Sequence, residues 1–228
     1  MFTPFTAEEL QFMLRFKSGE LHADPGANLL EEGTSSPQLF TVLSGMGIRT
    51  KLLEDGSRQV VNFVFPGDFL GLQSAVMGES KHSVIASTPM RLCVFNRSDL
   101  WGMFSNHPAR AYDLTWISAV EEHFLGETIA TIGQRSATQR IAWAFLRIFE
   151  RLRAVGMGDD ISVPLPFRQQ DLADALGLSI VHTNKTVGRL RKSQVANWTG
   201  RRLTVPDVAK LAELGLTETG GTSTRPLI

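Results

Sequence analysis

Between Leu21 and Phe95 the chain is broken every few residues, and after Pro108 the breaks stop. The punctuation is Asp24-Pro25-Gly26, Glu32-Gly33, Ser44-Gly45, Glu54-Asp55-Gly56 and Pro66-Gly67-Asp68. The runs between these turns are short and β-favouring, which suits a small antiparallel barrel or sandwich. The clearest hairpin joins residues 47–53 to 60–65 through Asp55-Gly56. The stretch before the barrel reads as short helical pieces, with Leu10, Met13 and Leu14 apolar. From Ala109 to Gln134 there is no proline, and glycine occurs only at Gly126 and Gly133.

That uninterrupted stretch carries apolar residues at Leu114, Ile117, Val120, Phe124, Leu125, Ile129 and Ile132. They form a helical stripe about 25 residues long, roughly 35 Å at the usual rise. Two readings fit: a core helix lying on the barrel, or a subunit-interface helix whose stripe is buried against its own copy. The interface reading places Leu114, Ile117, Val120, Phe124, Thr128 and Ile132 between subunits. A second helix spans 137–154, with Ile141, Phe145, Ile148, Phe149 and Leu152 on one face, and the Gly156–Asp160 stretch ends it. Residues 217–228 are polar, with Gly220-Gly221 and Pro226, and read as a disordered tail.

Charge sharpens the division. Lys+Arg and Asp+Glu both total 23, so the formal net charge is zero. Residues 1–135 hold 10 basic and 15 acidic side chains, whereas residues 136–228 hold 13 and 8. Neutrality is therefore the sum of an acidic half and a basic half. Within 168–202 there are seven bases, Arg168, Lys185, Arg189, Arg191, Lys192, Arg201 and Arg202, against Asp171 and Asp174.

The basic half also holds the most specific pattern. Residues 168–176 read as a helix with Leu172, Ala173 and Leu176 facing in, stopped by Gly177, which tolerates positive φ. Ser179 is placed to cap the next helix, which runs to Lys192 with Thr183, Thr186, Val187 and Leu190 inside. Two short helices about a glycine turn, with a small alanine at their crossing, make a helix-turn-helix with recognition helix 179–192. The outer face presents Val181, His182, Asn184, Lys185, Gly188, Arg189 and Lys192, with Arg191 beside the last two toward the helix C-terminus. Asn184 suits adenine, Lys185 guanine and Val181 a thymine methyl, while the basic residues near the helix end suit phosphates. Downstream, 195–198 and 203–205 flank Thr199-Gly200-Arg201-Arg202 as a β-hairpin wing with a basic tip, and 206–214 reads as a closing helix.

Several classes are excluded. One cysteine, Cys93, cannot make an intrachain disulfide or the thiolate cage of a zinc or iron–sulfur site. It lies in the strand-like run 90–95 and is expected to be packing. Residues 1–14 are not signal-like and no apolar run approaches the ~18 residues of a membrane span, so a cytoplasmic chain is expected. There is no Walker loop, no Gly-x-Ser-x-Gly and no His-Glu-x-x-His. The consecutive Glu121-Glu122-His123 points three ways on a helix and cannot converge on a metal. No enzyme, metal site or cofactor is expected.

The order of parts resembles the Crp/Fnr family of bacterial transcription regulators, over about residues 20–215. Phe65-Pro-Gly-Asp-Phe-Leu-Gly71, Gln170-Asp-Leu-Ala-Asp-Ala-Leu-Gly-Leu-Ser179 and Val-His-Thr-Asn-Lys185 carry it. The resemblance implies an α+β chain with an N-terminal jelly-roll-like antiparallel β-barrel sensor (1–107). It further implies a long dimerisation helix (108–135) and a winged helix-turn-helix (136–216), followed by the tail (217–228). It implies a homodimer on double-stranded DNA, half-sites about 34 Å apart, with RNA polymerase as a further partner. The family's base-reading positions fall on Val181, Asn184 and Lys185. Many members carry Glu and Arg there, so the departures at Val181 and Lys185 point away from a familiar operator, not from DNA binding.

In cyclic-nucleotide-binding members the loop after Gly71 supplies a Glu for the ribose and an Arg for the phosphate. Here Leu72 and Gln73 stand in the Glu region and Lys81-His82-Ser83 where an Arg-Ser pair would be. The helix positions that contact the base fall on Leu125-Gly126. The effector pocket by position is Gly71, Leu72, Gln73, His82, Ser83 and Leu125, without the usual cyclic-AMP anchors. The favoured reading is no classical effector, with control by expression level, a partner or Cys93 oxidation; the alternatives are an unidentified small ligand or haem held by His22, His82, His107 or His123. A cyclic-nucleotide module acting on a protein rather than DNA is the remaining one.

Overall fold

The computed structural model describes residues 2–220 and 224–228, which form two compact units: 2–121 with 224–228, and 122–220. The first of these, the unit expected to be the sensor, opens with helix α1 (Ala7–Phe16). Its Thr6 hydroxyl accepts the Glu9 amide while the Glu9 carboxylate accepts the Thr6 amide, a reciprocal cap. Eight strands follow: β1 (Lys17–Ala23), β2 (Asn28–Leu30), β3 (Gln38–Ser44), β4 (Gly47–Leu52), β5 (Arg58–Val64), β6 (Phe69–Leu70), β7 (Ser83–Ala86) and β8 (Met90–Asn96). They pair antiparallel as two four-stranded sheets, β1-β8-β3-β6 and β2-β7-β4-β5. Helix α2 (Leu72–Met77) interrupts the strands, and α3 (Leu100–Asn106) follows them.

The two-residue alternation of a strand explains how one sheet serves two cores. On β8, Met90, Leu92 and Val94 join Phe40 and Val42 of β3 in one cluster. Phe95 and Leu39 point the other way, into a second cluster with Met13, Phe16, Leu100, Met103, Leu114 and Ile117 from the helices. Cys93 packs against that second cluster, as its place in the strand suggests. Gly45 turns β3 into β4 at φ 88°, and a Cβ there would sit 2.3 Å from the Pro89 carbonyl oxygen, so only glycine fits.

Helix α4 (Pro108–Gln134) is 27 residues long, with Pro108 at its first position, and the boundary between the units falls within it. Two of the six residues expected at a subunit interface are already covered within the chain. Leu114 and Ile117 are 1% and 4% exposed, buried in the sensor's own core. Phe124 stacks on Trp143 at 5.8 Å between ring centroids. Val120, Thr128 and Ile132 are half-buried. The open face holds Ala119, Glu122, Gly126, Ile129 and Gly133, with Leu125 beside it. At about 100° per residue, 114, 117, 121 and 124 share one side and 119, 122, 126 and 129 the opposite one.

The second unit continues with α5 (Ala137–Ala154), β9 (Ser162–Pro164), α6 (Gln169–Leu176), α7 (Ile180–Lys192), β10 (Asn197–Thr199), β11 (Arg202–Thr204) and α8 (Val208–Leu214). Its core is α5, where Ile141, Phe145, Leu146, Phe149 and Leu152 are fully buried. The wing is a three-stranded sheet, β10-β11-β9, whose edge strand β9 the sequence reading did not anticipate.

The tail also departs from expectation. The Gly220 amide donates to the Glu150 carboxylate at 2.7 Å, and Arg147 donates to the Thr217 hydroxyl at 2.6 Å. Residues 221–223 of the segment lie outside the described residues. Thr224–Ile228 belong to the sensor unit, with Arg225, Pro226 and Ile228 buried. Local polarity misleads here because the partners of these residues lie far away in sequence.

Candidate nucleic-acid interface

The helix-turn-helix is assembled by caps. Arg168 is extended and caps α6; its amide donates to Asp171 Oδ2 at 2.9 Å and its Nη2 to Oδ1 at 3.0 Å. The buried Asp171 carboxylate is thereby neutralised by the residue that starts the helix. At the other end Gly177 takes φ 62°, and the Leu178 amide donates to the Ala173 carbonyl at 3.0 Å. A Cβ at Gly177 would meet nothing closer than 3.7 Å, so the backbone angle rather than space requires glycine. Arg140, on α5, donates to the Leu176 carbonyl at 3.0 Å and ties the end of α6 to the core helix. Ser179 then caps α7, accepting the His182 amide at 3.2 Å.

Helix α7 is two-faced. Thr183, Thr186, Val187 and Leu190 are buried, as the spacing predicts. Val181, His182, Asn184 and Lys185 project outward, Val181 being 74% exposed. Among the described residues, the side chains of these four have no hydrogen-bond or ion-pair partner, so their recognition groups are uncommitted.

The basic residues divide into two sets. Arg168 serves Asp171. Arg189 donates to Thr186 at 3.0 Å and to Thr138 on α5 at 3.3 Å, because its i+3 offset from Thr186 turns it toward the scaffold. Arg202 donates to the Ser162 hydroxyl at 3.0 Å and faces Asp159 at 3.5 Å, clamping β11 to β9. All three therefore have partners within the unit. Lys185, Arg191, Lys192 and Arg201 are exposed and, among the described residues, make no ion pair. Gly200 and Arg201 take φ 57° and 61°, so Arg201 sits at the very tip of the wing in a left-handed turn. Trp198 anchors the wing from below. Its Nε1 donates to the Leu165 carbonyl at 3.0 Å and its ring meets Phe145 edge-on at 5.8 Å. Arg140 and Trp198 are positioning residues that no local motif announced.

The candidate effector pocket is largely occupied by its own bonds. Gly71 takes φ 94° ahead of α2, and Gln73 accepts the Lys81 amide at 3.4 Å. Ser83 accepts the Glu32 amide at 3.0 Å. Lys81 pairs with Glu79, and Lys51 with Glu32 at 2.8 Å. Arg49 reaches the Glu121 carboxylate at 3.0 Å and the Phe69 carbonyl at 3.3 Å, while Asn62 donates to the same Glu121 oxygen at 3.3 Å. Leu125 belongs to the other unit and is 41% exposed there. Of the four histidines, His22 and His123 are exposed and His107 stacks on Phe12. Burial pushes the Cys93 thiol up, which disfavours the reactive thiolate.

His82 is driven down to about 4, chiefly by burial and then by the Arg49 guanidinium, with Lys51 adding and Glu32 opposing. A depressed histidine stabilises the fold while neutral, so its contribution is full above the unfolded value near 6.5 and is lost as pH falls toward about 4. Wild-type stability is expected to decline across that window at up to ~1.4 kcal/mol per pH unit from this group. His82→Gln should flatten the decline in urea unfolding at pH 7.5, 6.5 and 5.5, whereas parallel curves would rule this role out.

Two family models match the chain: a cyclic nucleotide-binding domain over residues 20–107 and a Crp-like helix-turn-helix domain over 139–214. The chain is 31% identical over 172 residues to the nitrogen fixation regulation protein FixK of Bradyrhizobium diazoefficiens, covering 75% of this chain and 71% of that one. It is 24% identical over 212 residues to the transcriptional activator protein FnrL of Cereibacter sphaeroides, covering 91% and 82%. Among solved structures, FixK2 from Bradyrhizobium japonicum shares the fold with a TM-score of 0.78 at 22% identity, covering 89% of this chain and 98% of that one.

Proposed function

The chain belongs to the Crp/Fnr family of bacterial transcription regulators, and from that premise we propose that it works as a homodimer that reads a specific double-stranded DNA site. In this reading α7 enters the major groove of each half-site and the wing lies on the backbone. The observation that carries it is the uncommitted row Val181, His182, Asn184 and Lys185, set on a helix whose other face is fully packed. Arg191, Lys192 and Arg201 then supply phosphate contacts. RNA polymerase is the further partner that the family suggests.

The open face of α4 supports pairing with a second copy. Ala119, Glu122, Gly126, Ile129 and Gly133 recur at alternating spacings of three and four, the pattern of a helix seam. The purified protein is expected to bind promoter fragments with an affinity that falls steeply with salt. Salt-independent or absent binding across all fragments would overturn the reading.

The sensor works without cyclic AMP in this reading. What supports it is the absence of an uncommitted cation among residues 71–83: Lys81 is paired, His82 is neutral, and the nearby Arg49 is held by Glu121. Calorimetry with cyclic AMP is expected to show no micromolar binding; a micromolar or tighter constant would refute this.

A further inference from the structure

We propose that Thr224–Ile228 is a resident peptide ligand of the sensor unit, held through Arg225 in a site built for a guanidinium followed by an aliphatic side chain. Between Glu121 and Thr224 the chain runs through the whole of the other unit, yet Thr224–Ile228 pack as part of the sensor. The backbone is held at both ends. The Thr3 amide donates to the Arg225 carbonyl at 2.9 Å, where Phe2 and Arg225 form a parallel bridge, and the Thr41 hydroxyl donates to the Ile228 carbonyl.

The side-chain chemistry is specific. Arg225 Nη2 lies 3.2 Å from Asp68 Oδ1 and 4.0 Å from Glu121 Oε1. Asp68 is buried, and Glu121 is shared with Arg49. With Arg225 present, two carboxylates face two guanidiniums; without it, two carboxylates face one. Asp68 Oδ2 accepts the Phe65 amide at 2.8 Å, and the Arg225 guanidinium brings the opposite charge that offsets the cost of burying that carboxylate. Ile228, 3% exposed, fills a place in the core formed with Leu39, Phe69, Phe95, Leu114 and Ile117. Apolar burial and a charge-assisted contact therefore act on one short segment. Asp68 also lies in the Phe65–Gly71 motif that leads into the candidate effector pocket, so the two sites share one loop.

The test uses the full chain with a specific protease site inserted after Gly220, so that the segment can be severed after folding. Cleavage at such a site follows the population of the released state when release is fast. Arg225→Ala and Asp68→Asn are each expected to speed cleavage by about tenfold or more relative to the parent chain, since each removes one charge of a buried ion pair. After cleavage and desalting, the melting midpoint is expected to fall. A synthetic Thr-Arg-Pro-Leu-Ile peptide should restore it saturably, and the peptide with alanine for arginine should need roughly tenfold more. Equal cleavage rates in the three chains would overturn the proposal, as would an unchanged midpoint or equal rescue by the alanine peptide. A segment found by cross-linking to seat in the partner subunit would overturn the same-chain assignment. Should the severed protein fail to stay folded, the cleavage rates of the intact variants decide the matter alone.

Discussion

Leu114→Ala is expected to cost the sensor unit about 2–5 kcal/mol while leaving the number of subunits unchanged, and Ile129→Asp is expected to do the reverse. Leu114 is 1% exposed among the apolar residues of the sensor core, so truncation leaves a cavity there. Ile129 is 72% exposed, so a carboxylate there costs the isolated chain little. In a homodimer paired along that face, the same change places two carboxylates against each other in an apolar seam. Monomers then engage one half-site instead of two, and DNA affinity falls by roughly 10²–10⁴ with the loss of linkage between the two contacts. Urea unfolding, sedimentation and DNA titration separate these outcomes. A dimeric Ile129→Asp protein with unchanged DNA affinity would remove α4's open face from consideration.

The second large effect lies in the recognition helix. Asn184→Ala and Lys185→Ala should each weaken binding to the selected site by about 1–3 kcal/mol and relax base preference at one position. Neither side chain has an intramolecular partner among the described residues, so neither change should lower stability. Arg201→Ala is expected to weaken specific and nonspecific DNA alike, with a shallower salt slope. Arg202→Ala should instead loosen the wing, because its guanidinium holds Ser162 and faces Asp159. Titrations on selected and scrambled duplexes at several salt concentrations distinguish the three behaviours. Equal losses on both duplexes for Asn184→Ala would show that it does not read a base.

The helix-turn-helix was legible from the chain because its determinants are local. Gly177 must reach positive φ, Ser179 must cap, and the burial of Thr183, Thr186, Val187 and Leu190 follows the helical repeat. Helix α5 was legible for the same reason. The long helix α4 was legible as a helix but not as to which face was open. Its apolar stripe includes residues for two different coverings, and only the packed sensor shows that Leu114 and Ile117 are already used. The basic count was legible as a total, but not that three of the seven cations have partners within the unit. Thr138, Ser162 and Asp159 are reached through folding, whereas Thr186 and Asp171 lie three residues from their arginines.

What the sequence determined by itself was the order and type of the parts: punctuated short strands, one long helix and a glycine-turned helix pair on a basic half. Those features rest on backbone preferences and periodicity, which act over a few residues. The tertiary structure decided which surfaces remain available. It assigned Leu114 and Ile117 to a core, gave Arg189 and Arg202 to the scaffold, and brought Arg225 and Ile228 into the sensor. Burial and charge pairing are settled between residues a hundred positions apart, and the composition of a short segment carries no record of them.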